Sequence, residues 1–493
     1  MTKYLYGAAV QGIQDFIFQT NELKDIVGAS ELVEEICTEA FEEFAKAGES
    51  IVRAAGNIKH IYSDSEADKA VMENAVRNFP KIVMQKAPGI TVSQAVVVIK
   101  NENEKDWFKN AVDELEQKLK VQRNKPLQSQ TLGFLGTKRS PKTGRPVWGD
   151  GAGELIDEAV AKMRECVSEG HYRLCESCFG AQNLSERIAY NINDITLKND
   201  WIAVIHADGN GLGNIIRTIG DDHKTLQKFS KKLNDVTIES AKSAYKEICY
   251  NFPDGFIPIR PIVVGGDDFT VICRADFALK YVNEYLVAFE TKTQNLISDL
   301  KKDNETLCKS GIDKLTACAG IAYIKSSFPF HYGYHLAEKL CEYAKNVSRK
   351  NSCLMFHKVQ DSFVENFKTI VDRELKIDDS QSFAFGPYFA KEAETNYWKV
   401  SDVIEIKRKL SDEEGNKVKS AIRQFIGLLK AGDGRNSSKK RRLLDIVRKN
   451  NRDLLDDVIN ITDGLTRNGV HYYPAYDILS LLSVENQVTK KQK

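Results

Sequence analysis

No apolar stretch in this chain approaches the ~18 residues that a membrane span needs, and the amino terminus lacks the charged-then-apolar pattern of a secretory signal. Both absences point to a cytoplasmic protein with no membrane partner. An excess of either charge is missing as well. With 70 basic side chains against 69 acidic ones, net charge says nothing for or against nucleic acid, and only the distribution of charge can. The ten cysteines mostly stand singly in apolar segments, as Cys249, Cys273, Cys318 and Cys341 do. That usage fits a reducing compartment, where cysteine is a small buried hydrophobe. What remains, 42% apolar and 28% charged residues over 493 positions, is ordinary for a soluble globular protein of three or four domains.

The informative features are two short acidic motifs about sixty residues apart, His206-Ala207-Asp208-Gly209-Asn210-Gly211 and Gly265-Gly266-Asp267-Asp268. Trp201 to Ile205 ahead of the first is β-branched and too short for a helix, so Asp208 is expected at the end of a buried strand. The second motif lies between Ile259–Val264 and Phe269–Cys273, which reads as a hairpin with the aspartates starting its return strand. If the strands are neighbours, Asp208, Asp267 and Asp268 converge. Phosphoryl transfer needs that arrangement, because divalent cations held by hard oxygens activate the attacking hydroxyl and neutralise the triphosphate. Two Mg2+ or Mn2+ ions on the three aspartates is the expectation. Gly265 and Gly266 permit the turn and let backbone amides approach a phosphate or a base, and Gly209 and Asn210 beside Asp208 are further nucleotide-binding candidates. Taken alone, the tetrapeptide also reads as an Asx-rich hairpin turn.

The segments after each motif complete a βαββαβ order: helical patterns over 229–250 and 277–300, a strand over 315–324, and a helix over 334–349. Lys345 near the end of that helix is placed to reach triphosphate oxygens, although a basic helix end also simply complements the helix dipole. The amino-terminal segment repeats the order. Leu5–Val10 reads as a strand and 29–45 as an amphipathic helix, and 51–62 has the hairpin shape without an acidic pair at its turn. Between the two lie Cys166, His171, Cys175 and Cys178, a compressed set suited to a structural Zn2+ site, with a metal-free thiol pair as the alternative. The Pro- and Gly-bearing stretch 126–153 reads as a linker.

From residue 361 onward the pattern is one of short amphipathic helices, consistent with a bundle. Residues 401–493 carry 19 Lys and Arg against 13 Asp and Glu, concentrated at Arg435 and Lys439–Arg442, a surface for RNA or a partner subunit if it is more than solvated charge. The aromatic run 383–389 reads as a docking patch or as core.

These motifs resemble the large polymerase/cyclase subunit of type III CRISPR effector complexes, which has two palms related to GGDEF cyclases. The matching elements in the second palm are 203–210, 264–269, Ala319-Gly320-Ile321-Ala322 and Ala344-Lys345; Tyr4–Phe18 with Leu23–Ser30 looks like the first palm. The resemblance implies an α+β fold: a degenerate first palm at 1–125, a linker and zinc-knuckle region at 126–195, a GGDD palm at 196–362 and a helical domain at 363–493. It implies that the first palm supplies part of a second nucleotide pocket, with Ser30 in a Gly28-Ala29-Ser30 turn at a helix start binding phosphate, unless Ser30 is an ordinary N-cap. It also implies a nucleotidyltransferase that joins ATP into a cyclic oligonucleotide or adenylate conjugate, releases pyrophosphate, and serves antiviral defence with RNA-guided partner subunits and RNA. A free-standing signalling cyclase and a catalytically silent RNA-binding scaffold are the alternatives. Many members open with a nuclease domain bearing a His-Asp pair; no such dipeptide occurs here, so that cleavage is not expected.

Overall fold

The computed structural model describes residues 2–489 apart from 55, 102–105, 125–135, 151–152, 169–172, 181–185, 197–200, 250–254, 361–365, 412, 432–435 and 451. The first unit runs β1 (Lys3–Gln11), α1 (Ile13–Ile17), α2 (Leu23–Cys37), β2 (Glu49–Ala54), β3 (Asn57–Ser63), α3 (Glu66–Lys86), β4 (Thr91–Ile99) and α4 (Trp107–Arg123). Its sheet has the order β2-β3-β1-β4 and is antiparallel throughout. Ser65 caps α3 by accepting from the Asp68 amide. The β2–β3 turn carries no carboxylate, as the sequence indicated.

After the small pair β5 (Gly149–Asp150) and β6 (Leu155–Ile156) come α5 (Glu158–Ser168) and α6 (Arg173–Phe179). The second βαββαβ unit then follows: β7 (Trp201–Asn210), α7 (Leu212–Ile219), α8 (His223–Cys249), β8 (Ile259–Gly265), β9 (Asp268–Arg274), α9 (Ala275–Asp303), β10 (Thr316–Lys325), α10 (Phe330–Val347) and β11 (Cys353–Lys358). Its sheet is ordered β12-β11-β10-β7-β9-β8, where β12 is Tyr388–Phe389 from the carboxy-terminal part. Central β7 is apolar from Trp201 to Ile205 and buried at all but Asp208 along its length, as a strand covered on both faces is. Gly320 lets α10 lie directly on β10, since a side chain there would collide with the Ala337 carbonyl.

The units are joined by side chains of the first. Gln14 donates to the Tyr334 hydroxyl (2.6 Å), Asn21 accepts from the Phe330 amide at the start of α10 (2.7 Å), and Phe18 stacks on Tyr334 with ring centroids 4.8 Å apart.

The carboxy-terminal part holds α11 (Val400–Leu410), α12 (Glu413–Lys430), α13 (Asn436–Asn450), α14 (Leu455–Asp463) and α15 (Ala475–Thr489). It also contains a small sheet absent from the sequence expectation, built from Lys376–Asp378, Gln381–Ser382, Val470–Tyr472 and Leu465–Arg467. Strands of two or three residues are too short to show a period. Phe383, Phe385, Tyr388 and Phe389 are fully buried, so the aromatic run is core. Among the described residues no helix is long and apolar enough to cross a membrane.

Candidate active site

Strand register builds the site. In the antiparallel β7–β9 pair Asp208 stands opposite Asp268 and His206 opposite Thr270. Directly paired residues share a face, and so do residues two apart on one strand, so all four project to the same side. Ligating atoms of His206, Asp208 and Asp268 lie within 4.8 Å of one another. Two carboxylates and an imidazole in that space fit a divalent cation.

The turn before β9 is held from behind. Gly266 takes a positive φ of 61°, its amide donates to the Asn234 side-chain oxygen (3.2 Å), and its carbonyl accepts from the Thr237 hydroxyl (2.6 Å). Asn234 and Thr237 on α8 escaped the sequence reading; polar side chains beside the core positions Leu233, Val236 and Ser240 were their only trace. Gly265 pairs with Asp268 across the hairpin. Gly209 has a steric role: a Cβ there would come within 2.9 Å of the Asp267 Cβ.

Asp267 therefore packs over Gly209 and shares a hydrogen bond with Asp208. Burial first, then the charges of Asp268 and Asp208, push its carboxyl up to about 7. Burial, Asp208 and Glu338 push Asp268 up to about 6, against the pull of Lys345. Burial also lowers the His206 pKa, favouring neutral imidazole. The cation at the site is Lys345, whose ammonium pairs with Asp208 and lies 3.4 Å from the Gly209 carbonyl oxygen. Tyr334, Glu338 and Lys345 recur at helical spacing along the side of α10 that faces the site.

A cavity of about 100 Å3 opens between the units at this point. Its walls include Gln14, Phe18, Ser30 and Glu34 from the first unit and His206, Asp268, Thr270 and Tyr334 from the second.

One expectation is corrected. Ser30 is not at a helix start: α2 begins at Leu23, and Ser30 sits buried in mid-helix, donating to the Ile262 carbonyl. Gly28 is no turn either; it admits the Met163 backbone of α5, which any side chain there would strike. The Asn210 side chain is buried and donates to Thr316 Oγ1 (3.1 Å) and Cys318 Sγ (3.3 Å) of β10. The cysteines do not close a zinc site among the described residues. Cys166 on α5 directs its thiol to Glu35, while Cys175 and Cys178 lie on α6, buried so that the Cys175 thiol is pushed up to about 11; His171 lies outside the described residues.

Residues 201–354 match the model of the Cas10/Cmr2 second palm domain. Among solved structures, Csm1 of T. onnurineus is similar at 15% identity and a TM-score of 0.59, over 98% of this chain and 69% of that one. The Csm1-Csm4 cassette in complex with pppApA matches at 13% identity and 0.58, and the cassette in complex with cA4 at 13% and 0.57, with the same coverage. No curated protein matches by sequence. At such identities the likeness speaks to fold, and it agrees with the two βαββαβ units found here. Residues 201–354 thus match a second palm domain of the Cas10/Cmr2 type, and the chain shares the fold of Csm1.

Proposed function

We propose that this chain is a metal-dependent nucleotidyltransferase that joins ATP into a linear or cyclic oligoadenylate, as the large subunit of a type III CRISPR effector. The observation that carries this reading is the cross-strand placement of Asp208 and Asp268 beside Asp267, with Asp268 and His206 lining a cavity between the two βαββαβ units. Similar Csm1-Csm4 cassettes are seen with one ATP, pppApA and cA4, which motivates adenosine substrates and a Csm4-type partner.

Asp208 and Asp268 would hold the divalent cation, with Asp267 completing the acidic wall. Bound there, the cation supplies Lewis acidity, neutralising the triphosphate and acidifying the attacking ribose hydroxyl. In the transfer, the hydroxyl oxygen forms a bond to the α-phosphorus, the α–β anhydride breaks and pyrophosphate leaves. Asp267, titrating near neutrality, is suited to take the hydroxyl proton. Lys345, which pairs with Asp208, would bind triphosphate oxygens from the same position. The apolar walls, Phe18 and Tyr334 among them, suit a base and keep water away.

The test is incubation of the purified chain, alone and with co-expressed partners and guide RNA, with labelled ATP and Mg2+ or Mn2+, followed by mass analysis. Oligoadenylate formation that disappears in a D267A/D268A variant supports the reading. Turnover that persists in that variant removes it, and activity of the chain alone assigns a free-standing cyclase.

A further inference from the structure

We infer that His206 is itself a ligand to the palm cation, and that its imidazole makes the site prefer Mn2+ or Co2+ to Mg2+. This rests on the reading of Asp208 and Asp268 as the carboxylate ligands and adds a nitrogen donor to them.

Strand geometry carries the argument. His206 precedes Asp208 by two positions on β7, so both side chains leave the same face of the strand. Its partner across the ladder, Thr270, follows Asp268 by two positions on β9, which sets the imidazole over the same patch of sheet as the two carboxylates. The result is a ring nitrogen within 4.8 Å of both carboxylates.

The ring is fixed rather than free to swing. Nδ1 is 3.2 Å from Thr270 Oγ1, and the edge of Tyr334 closes on it with centroids 5.6 Å apart. Tyr334 is in turn held by Gln14 and stacked on Phe18. Only 7% of His206 is exposed, and what remains open faces the inter-palm cavity. When Thr270 accepts from Nδ1–H, the lone pair of Nε2 is left for a cation; a hydrogen bond on the other ring nitrogen is how metal-binding histidines are commonly oriented. Thr270 is then a positioning residue.

The choice of metal follows from the donor. Mg2+ demands hard oxygen ligands and gains little from imidazole, whereas first-row transition metals gain affinity from a nitrogen ligand. Carboxylates alone would leave Mg2+ and Mn2+ more nearly matched.

The experiment uses the full-length, metal-stripped chain without nucleotide, titrated with Mn2+ and followed by electron paramagnetic resonance, with Mg2+ as competitor. Expected are Mn2+ binding at least about tenfold tighter than Mg2+ and a 14N modulation from a directly coordinated nitrogen. His206→Phe, which keeps an aromatic ring against Tyr334, should lose the nitrogen signal and weaken Mn2+ about tenfold while leaving Mg2+ binding in place. Mn2+ that binds the native chain and is lost in Asp208→Asn, but shows no nitrogen coupling, overturns the role of His206 and leaves the carboxylate site standing. Failure of the native chain to bind Mn2+ at all overturns both. Because the nitrogen signal is read on the native protein, the outcome does not depend on the variant folding.

Discussion

The ammonium of Lys345 rests on the Asp208 carboxylate, joining the last turn of α10 to the end of β7 across 137 positions of sequence. Three aspartates gather at the site, two of them with raised carboxyls, and on the reading proposed above Lys345 and the divalent cation share the Asp208 carboxylate. The two should compete. Lys345→Met is expected to bind Mn2+ a few-fold more tightly than the native chain in the absence of nucleotide. Its turnover should nevertheless fall by about 10- to 100-fold, since one charge-assisted contact to the triphosphate is lost. Metal titration and steady-state rates on the same preparation check it. Weaker metal binding in the variant would contradict the competition.

Neutralising the crowded carboxylates should separate stability from function. Raised carboxyls mean that ionising them costs the metal-free fold free energy, so Asp267→Asn with Asp268→Asn should raise Tm at pH 8 while abolishing turnover. For each group the folded pKa exceeds the unfolded one, so its favourable contribution is fully present below about pH 4 and is lost as pH rises through about 6 to 7. Metal binding runs the other way, because Asp268 must be deprotonated to hold the cation, and Mn2+ affinity should climb between about pH 5 and 8. Calorimetry across that range reads both slopes; a Tm that drops in the double variant at pH 8 would remove the argument.

Gly209→Ala tests the packing that seats Asp267. A methyl group 2.9 Å from the Asp267 Cβ must displace that residue or the turn behind it. The expectation is a stability loss of about 1–3 kcal/mol and a fall in kcat larger than any change in KM, since the substrate walls are elsewhere. Thr237→Val, which removes the hydroxyl donated to the Gly266 carbonyl, should act in the same direction. An unchanged kcat in both variants would mean the turn tolerates movement.

Much of this site could be read from the chain because it is built on local patterns. The strand 201–205, the hairpin around Gly265–Asp268 and the helices that follow each announce themselves by period, and they converge because neighbours in a βαββαβ sheet have no other place to go. What escaped depended on contacts between distant segments. Gly28 reads as turn punctuation until α5 is seen lying against it, which moved the start of α2 and with it Ser30. Asn210 carries an amide suited to a nucleotide, and only the register of β10 reveals that Thr316 and Cys318 use it. His206 belongs to the motif but gains a role from Asp268, sixty-two positions away, through the pairing of β7 with β9.

A further carboxyl with a raised pKa lies in the carboxy-terminal part. Asp477 on α15 is buried, accepts from the Tyr388 hydroxyl at 2.7 Å and feels the Arg467 guanidinium, yet burial outweighs both and pushes its carboxyl up from 3.8 to about 7. Because Tyr388 belongs to β12, which edges the sheet of the second βαββαβ unit, this contact ties the carboxy-terminal helices to that unit. The folded pKa lies above the unfolded one, so the stabilising contribution is complete below about pH 4 and disappears as pH rises through about 7, a difference on the order of 4 kcal/mol. Asp477→Asn keeps an acceptor for Tyr388 and has no charge to bury. The variant should therefore match the native chain near pH 5 and exceed it at pH 8.5, as read from urea midpoints at the two pH values. Parallel curves for the two proteins across that interval would show that Asp477 ionises in the fold without cost, and would locate the pH sensitivity of the chain elsewhere.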